Sequence, residues 1–375
     1  MKNRIESFIL SKLESGYYPG CQVLVARKDE ILADLSCGSM YRGKNAGPVT
    51  EKTLFNLESI TKVMVTLPLA FKLIQEGRLR LDDRVADVIP EFGEGEDKKK
   101  VTVRNMLNFT AGIPLEDPQG SAEAAAAGEM DLVWDLHFRQ PLATRPGIMV
   151  RYSDVSCRIL GKLLERIMGM DLAEASREYI FGPLGMEDTM FTPSCRERCA
   201  STGTAGDGRD LTGGLTQDLE YYMGGVLGSD GLFSTAHDML VFSEMLMDGG
   251  SYGGKRILGR KTVERMTEGL SDGDVFEKPS SYLHYILSGP KTWFWEYGAS
   301  PYSFFGDLVS ERAIGKMGGA GSFLLLDPAY DLVIVYLTNY GQPENTLEGD
   351  AAWNKFQSEI DMMGLCNLVI GNLDV

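Results

Sequence analysis

Asn56-Leu57-Glu58-Ser59-Ile60-Thr61-Lys62 is the stretch on which the reading of this chain turns. Ser59 and Lys62 stand three residues apart, just before a helix-like run at 67–76 that Gly77 ends. Residues i and i+3 share one helix face, so the serine hydroxyl and the lysine amine can meet. A serine in a first helical turn also has unpaired backbone N–H groups and the positive end of the dipole beside it. A lysine activates a serine when burial or a neighbouring cation lowers its pKa. The bland alternative is a helix cap followed by a solvated lysine. A second SxxK string, Ser288-Gly289-Pro290-Lys291, is set aside because Gly-Pro denies it a helix.

Working outward, residues 22–26 read as a strand, Lys28-Asp29-Glu30 as a turn and 31–35 as the returning strand. The far end mirrors this: 322–326 and 332–337 are apolar, strand-like runs around a turn at 327–331, and 351–363 reads as a terminal helix. Ile5, Phe8, Ile9 and Leu13 follow helical spacing until Gly16. The middle is helical at 130–138, 154–168 and 236–248, while the alanine-rich 122–127 is a helix start or a surface segment. The expected class is α+β. One antiparallel sheet is built from both chain ends and flanked by the terminal helices, with a mostly helical region inserted. A single domain, 1–375, would divide into a sheet part (about 1–65 and 225–375) and a helical part (about 66–224).

Composition narrows the function. The 375 residues are 43% hydrophobic and 24% charged, which excludes a disordered chain. A formal charge of −16 repels phosphate backbones and anionic lipid, so neither nucleic acid nor a membrane surface is an expected partner. No run approaches ~20 apolar residues. Glu6 follows the basic start at once and Phe8-Ile9-Leu10 is too short for a signal h-region, so the expected compartment is the cytoplasm. The six cysteines are scattered, and Cys195 and Cys199 read as free thiols on a charged turn. Lys98-Lys99-Lys100 reads as a solvated loop of mixed charge. His137, His237 and His284 show no metal-ligand spacing, and no P-loop, dinucleotide fingerprint or G-x-S-x-G elbow is present. No metal and no organic cofactor is implied, and nothing sets the oligomeric state.

Further motifs keep Ser59 and Lys62 company. Tyr152-Ser153-Asp154 opens a helix, and Gly315-Lys316-Met317-Gly318-Gly319 precedes an apolar strand. In this the chain resembles the serine hydrolases that include class C β-lactamases, low-molecular-mass penicillin-binding proteins and related esterases. Their SxxK, Y-x-N and K-T-G or H-x-G motifs occur here in the same order. The segments 101–107, 110–114 and 231–236 extend the likeness to about residues 5–360.

The resemblance implies that Ser59 attacks an ester or amide carbonyl to form an acyl-enzyme. Lys62 and Tyr152 then share the proton work and Lys316 completes the catalytic group. The N–H groups of Ser59 and Gly319 form the oxyanion hole, and Asp154, Met317 and Gly318 meet substrate. A phenolate at Tyr152 would need a pKa lowered by about three units, for which Lys62 and Lys316 are the plausible source. The alternative is a neutral Lys62, depressed by Lys316, with Tyr152 as relay. Two departures favour a small-molecule esterase or amidase over an efficient β-lactamase. Asp154 replaces an asparagine able to donate to a substrate carbonyl, and Met317 replaces a hydroxyl that helps hold a β-lactam carboxylate. Lys316 keeps a charge for an acidic substrate group. An acyltransferase of the same mechanism, a non-turnover β-lactam binder and a pseudoenzyme are the alternatives. The run Trp293-Phe294-Trp295-Glu296-Tyr297, with Tyr302, Phe304 and Phe305, either walls an acyl pocket or packs beneath the site.

Overall fold

The computed structural model describes residues 1–28, 30–267, 278–341 and 349–373. Asp29, within the first expected turn, lies outside them. In chain order the strands are β1 (Gly20–Arg27), β2 (Glu30–Gly38), β3 (Phe55–Asn56), β4 (Met190–Phe191), β5 (Leu232–Ser234), β6 (Ser251–Tyr252), β7 (Lys255–Arg256), β8 (Lys291–Thr292), β9 (Trp295–Tyr297), β10 (Ile314–Met317), β11 (Phe323–Asp327) and β12 (Leu332–Thr338). One sheet runs β2-β1-β12-β11-β10-β9-β8, antiparallel at every step. The N- and C-terminal strands therefore meet within it, where β1 pairs with β12 from Cys21↔Thr338 to Arg27↔Leu332.

The period-2 alternation of these strands sorts their side chains onto two cores. Leu24, Leu324, Val335 and Leu337 face one core, which also takes the buried side of helix Ala236–Met247. Val23, Val25, Leu325, Ile334 and Tyr336 face the other. Helices Lys2–Glu14, through Ile5 and Ile9, and Met362–Ile370 cover that second face. With both faces covered, β1 and β12 are buried almost throughout, which is why they read as apolar runs. The edge strand β2 is largely exposed and mixes in polar residues. The α+β class and the sheet built from both ends are as expected. Among the described residues no helix is long and apolar enough to cross a membrane.

Two local readings change. The helix expected at 351–363 is two helices, Gly349–Ile360 and Met362–Ile370. Between them Asp361 takes φ 57° and its carboxylate accepts the Gly364 N–H at 3.0 Å, capping the second. Within the lysine run, Lys98 is only 5% exposed. Its ammonium donates to the Phe138 carbonyl and lies 4.6 Å from the centre of the Phe92 ring. Burial pushes its pKa down to about 8. Lys99 and Lys100 do face solvent, paired with Glu96 and Asp97. The alanine-rich segment resolves as helix Ser121–Ala126, and all six cysteines are free thiols.

Candidate active site

Ser59 lies in a 3₁₀ turn, Glu58–Ile60, that runs through a π-helical turn, Lys62–Thr66, into helix Leu67–Gln75. Three residues per turn stack i over i+3, and the Lys62 ammonium donates to Ser59 Oγ at 2.8 Å. Neighbouring chain fixes this turn. Thr61 Oγ1 donates to the Glu58 carbonyl at 2.7 Å and accepts the Leu232 N–H of β5 at 3.2 Å. Thr66 Oγ1 donates to the Gly228 carbonyl, and Lys62 to the Ser229 carbonyl, at 2.7 and 2.8 Å. Gly228 is required there, because a Cβ would stand 2.3 Å from the Cys157 carbonyl oxygen and 3.0 Å from Gly161 Cα. Glu58 adopts φ 49°, uncommon for a residue with a Cβ and of a kind that gathers at functional sites.

Tyr152 arrives from the start of helix Asp154–Met168, which Ser153 caps by accepting the Ser156 N–H at 3.2 Å. The Tyr152 N–H donates to the Leu287 carbonyl at 2.8 Å, and its ring packs on Phe109 at 5.0 Å between centres. The phenol oxygen is 2.9 Å from Ser59 Oγ. Lys62 and Lys316 lie 5.3 and 5.1 Å from the centre of that ring. The structure thus gathers Ser59, Lys62, Tyr152, Asp154 and Lys316 at one place.

Their electrostatics depart from expectation. Lys62 is fully buried, with its ammonium 2.7 Å from Asp154 and 3.5 Å from Asp230. Burial pulls its pKa down, but Asp154 and then Asp230 outweigh this and hold it well above the usual lysine range. Lys62 is therefore a cation at neutral pH. Burial, then Asp154, pushes the Tyr152 phenol well above its ordinary range, although Lys62 opposes them. Neither a resting phenolate nor a neutral lysine fits. Burial alone would raise the Asp154 carboxyl, but Lys62 and then Arg158 keep it below the usual range.

The charge of Lys316 is already engaged. Its ammonium is 2.6 Å from Glu296 Oε1, and both side chains are buried. The register that pairs β9 with β10, Gly315↔Glu296, brings them together. Sequence reading assigned no role to Glu296, Asp230 or Glu58. Asp230 stands one residue before the 231–236 landmark, and Glu58 is inside the SxxK stretch itself. For those two the signal was only proximity in sequence to a motif, while Glu296 stood merely inside the aromatic run.

The family model described as Beta-lactamase matches residues 5–357. The chain belongs to the beta-lactamase family. It is 29% identical over 369 residues to the "Putative D-alanyl-D-alanine carboxypeptidase" of Escherichia coli (strain K12), covering 90% of this chain and 82% of that relative. Among solved structures, the octameric penicillin-binding protein homologue from Pyrococcus abyssi superposes with a TM-score of 0.72 at 21% identity, over 98% of this chain and 77% of that one. A family VIII carboxylesterase gives 0.70 at 21% identity, over 96% of each chain. These likenesses show the class C β-lactamase and penicillin-binding-protein-like serine hydrolase fold.

In this member of the beta-lactamase family Ser59 opens on a cavity of about 450 Å³. Tyr152, Asp154, Lys316, Met317 and Gly319 line it, together with Glu58, Thr216 and Glu296. Gly318 does not. A Cβ there would stand 2.4 Å from the Leu57 carbonyl oxygen, so this glycine lets β10 close against the Ser59 turn. The Gly319 N–H donates no hydrogen bond among the described residues. Of the aromatic run at 293–297 only Glu296 reaches the cavity. Trp293 packs on Phe71 and Phe294 on Phe109, so the aromatics support the site from beneath. The apolar wall is instead Leu115, Leu283, Ile286 and Leu287, with Trp353 and Tyr340. None of the histidines lines the cavity; His137 is buried with Nδ1 2.8 Å from the Val133 carbonyl.

Proposed function

We propose that this protein hydrolyses a carboxylic ester or amide of a small molecule through an acyl-enzyme on Ser59. The observation that carries it is Ser59 Oγ, held 2.8 Å from Lys62 Nζ and 2.9 Å from the Tyr152 phenol on the wall of a cavity. Ser59 Oγ attacks the carbonyl carbon, and the carbonyl electron pair moves to oxygen. The N–H groups of Gly319 and Ser59 receive that oxyanion. The ammonium at Lys62 cannot accept the serine proton. The Tyr152 phenol takes it while passing its own to the Asp154 carboxylate, which lines the same cavity. Lys62 stabilises the negative charge along this path. The proton returns to the leaving group as the C–O or C–N bond breaks, and water repeats the cycle on the acyl-enzyme.

Asp154 and Met317 support an esterase or amidase over an efficient β-lactamase, since neither can donate a hydrogen bond to a β-lactam. The test is intact-protein mass spectrometry after incubation with a fluorophosphonate, a penicillin and a p-nitrophenyl acyl ester. One adduct per chain is expected with the fluorophosphonate, and ester turnover without lasting penicillin adduct. Ser59→Ala should lose the adduct and at least ~10³-fold of the ester rate. Activity surviving that change would place the nucleophile elsewhere.

A further inference from the structure

Four carboxylates and two ammonium groups surround Ser59. Lys62 is engaged by Asp154 and Asp230, and Lys316 by Glu296. Among the described residues that line the cavity, a carboxylate therefore meets no cation that is not already paired. Glu58 is left over. Its Oε1 accepts from Thr216 Oγ1 and from the Asn56 amide, both neutral donors. Its Oε2 reaches the cavity wall 3.3 Å from where a Cβ on Gly319 would stand, beside the proposed oxyanion site. A second observation points the same way. Glu296 is fully buried and lines the cavity, yet its Oε2 has no hydrogen-bond partner. Such an orphaned acceptor is costly to leave unmade, and a donor supplied by a ligand would satisfy it.

We propose that the site takes esters or amides carrying a cationic amine close to the scissile carbonyl, received by Glu58, and that the Glu296–Lys316 pair turns carboxylate-terminated substrates away. This rests on Ser59 being the nucleophile. Glu58 and Glu296 are then specificity residues of that reaction. The selection is the reverse of what an unpaired Lys316 would impose, since an unpaired lysine at the cavity wall favours an anionic end group. Burial and Asp230 push the Glu58 carboxyl up to about 7, with Thr216 and Lys62 opposing and Asp154 adding to the rise. Preference for a cation should therefore strengthen as pH rises through that value.

The test uses three fluorophosphonates of matched size whose chains end in dimethylammonium, isopropyl or carboxylate. Each labels by forming an Oγ–P bond at Ser59 as the P–F bond breaks and fluoride leaves, so no turnover is needed. Labelling rates are read by intact mass between pH 6 and 8. Wild type should label with the cationic probe at least ~10-fold faster than with the anionic one, with the neutral probe between. The cationic-to-neutral ratio should climb with pH in wild type and stay flat in Glu58→Gln. Glu296→Gln should raise the anionic rate and narrow the spread. Equal rates for cationic and anionic probes would overturn the proposal and leave the Ser59 reading intact. So would a ratio that neither variant moves. No labelling by any probe would overturn the Ser59 reading, and this proposal with it.

Discussion

Glu58 stores an electrostatic penalty beside the nucleophile. Its carboxyl is more than nine-tenths buried and titrates at about 7, against an ordinary 4.5. Below the ordinary value it is protonated both folded and unfolded. Between the two, the unfolded chain releases a proton that the folded chain keeps, so stability falls as pH rises through this window and stays lower above it. The shift corresponds to about 3 kcal/mol. Glu58→Gln keeps an acceptor for Thr216 and removes the charge. It should be more stable than wild type by up to about 3 kcal/mol at pH 8 and nearly equal to it at pH 4.5, measured by urea unfolding at each pH. A variant that gains nothing at pH 8 would show that the carboxylate is not penalised there. Asp154 is the second residue whose charge matters. Asp154→Asn removes the carboxylate to which Tyr152 passes its proton, while the new amide can donate to a substrate carbonyl. Acylation of Ser59 by a p-nitrophenyl ester should therefore fall by at least ~10²-fold, the worth of one proton-transfer group. An unchanged rate of acylation would remove Asp154 from the proton path.

At the scale of elements, the site depends on how closely helix Asp154–Met168 approaches the segment at 228–231. That segment delivers the Ser229 carbonyl to Lys62 and Asp230 to the back of Ser59. Gly228→Ala would push the two apart, because the added methyl has only backbone in front of it. A loss of about 1–3 kcal/mol is expected, with a fall in ester kcat larger than the fall in stability predicts. Urea unfolding and steady-state kinetics on one preparation would separate the two effects. This contact also explains which features the sequence made legible. SxxK, Tyr152-Ser153-Asp154 and Lys316-Met317-Gly318-Gly319 each lie within one turn or strand, so their local pattern carries them. β1, β11 and β12 were legible because strands buried on both faces must be apolar. Asp230 and Glu296 acquire their partners only through packing of elements 171 and 20 residues away from Ser59 and Lys316, which no local period encodes. The aromatic run at 293–297 was ambiguous for the same reason. A buried ring looks alike in sequence whether it faces a cavity or the core beneath it.

The whole molecule adds a field to these local charges. A net −16 on 375 residues gives the molecule a negative long-range field, and such a field attracts small cations and slows anions. Two sources of charge selection therefore act on one substrate, and they differ in range. The long-range part acts through solvent and decays over a Debye length of roughly 10 Å at 0.1 M salt, or 3 Å at 1 M. The short-range part comes from Glu58, Glu296 and Lys316, which are buried and little screened. Raising the salt from ~10 mM to ~1 M should slow acylation by a cationic ester and speed it for an anionic one, while a neutral ester of the same size changes little. Extrapolated to high salt, the ratio of cationic to anionic rates should settle above one in wild type and nearer one in Glu296→Gln. The two variants should keep the same salt slope as wild type, because a single buried charge barely alters a field built from the whole surface. A ratio that collapses to one at high salt in wild type would assign all of the selection to the surface and none to the site.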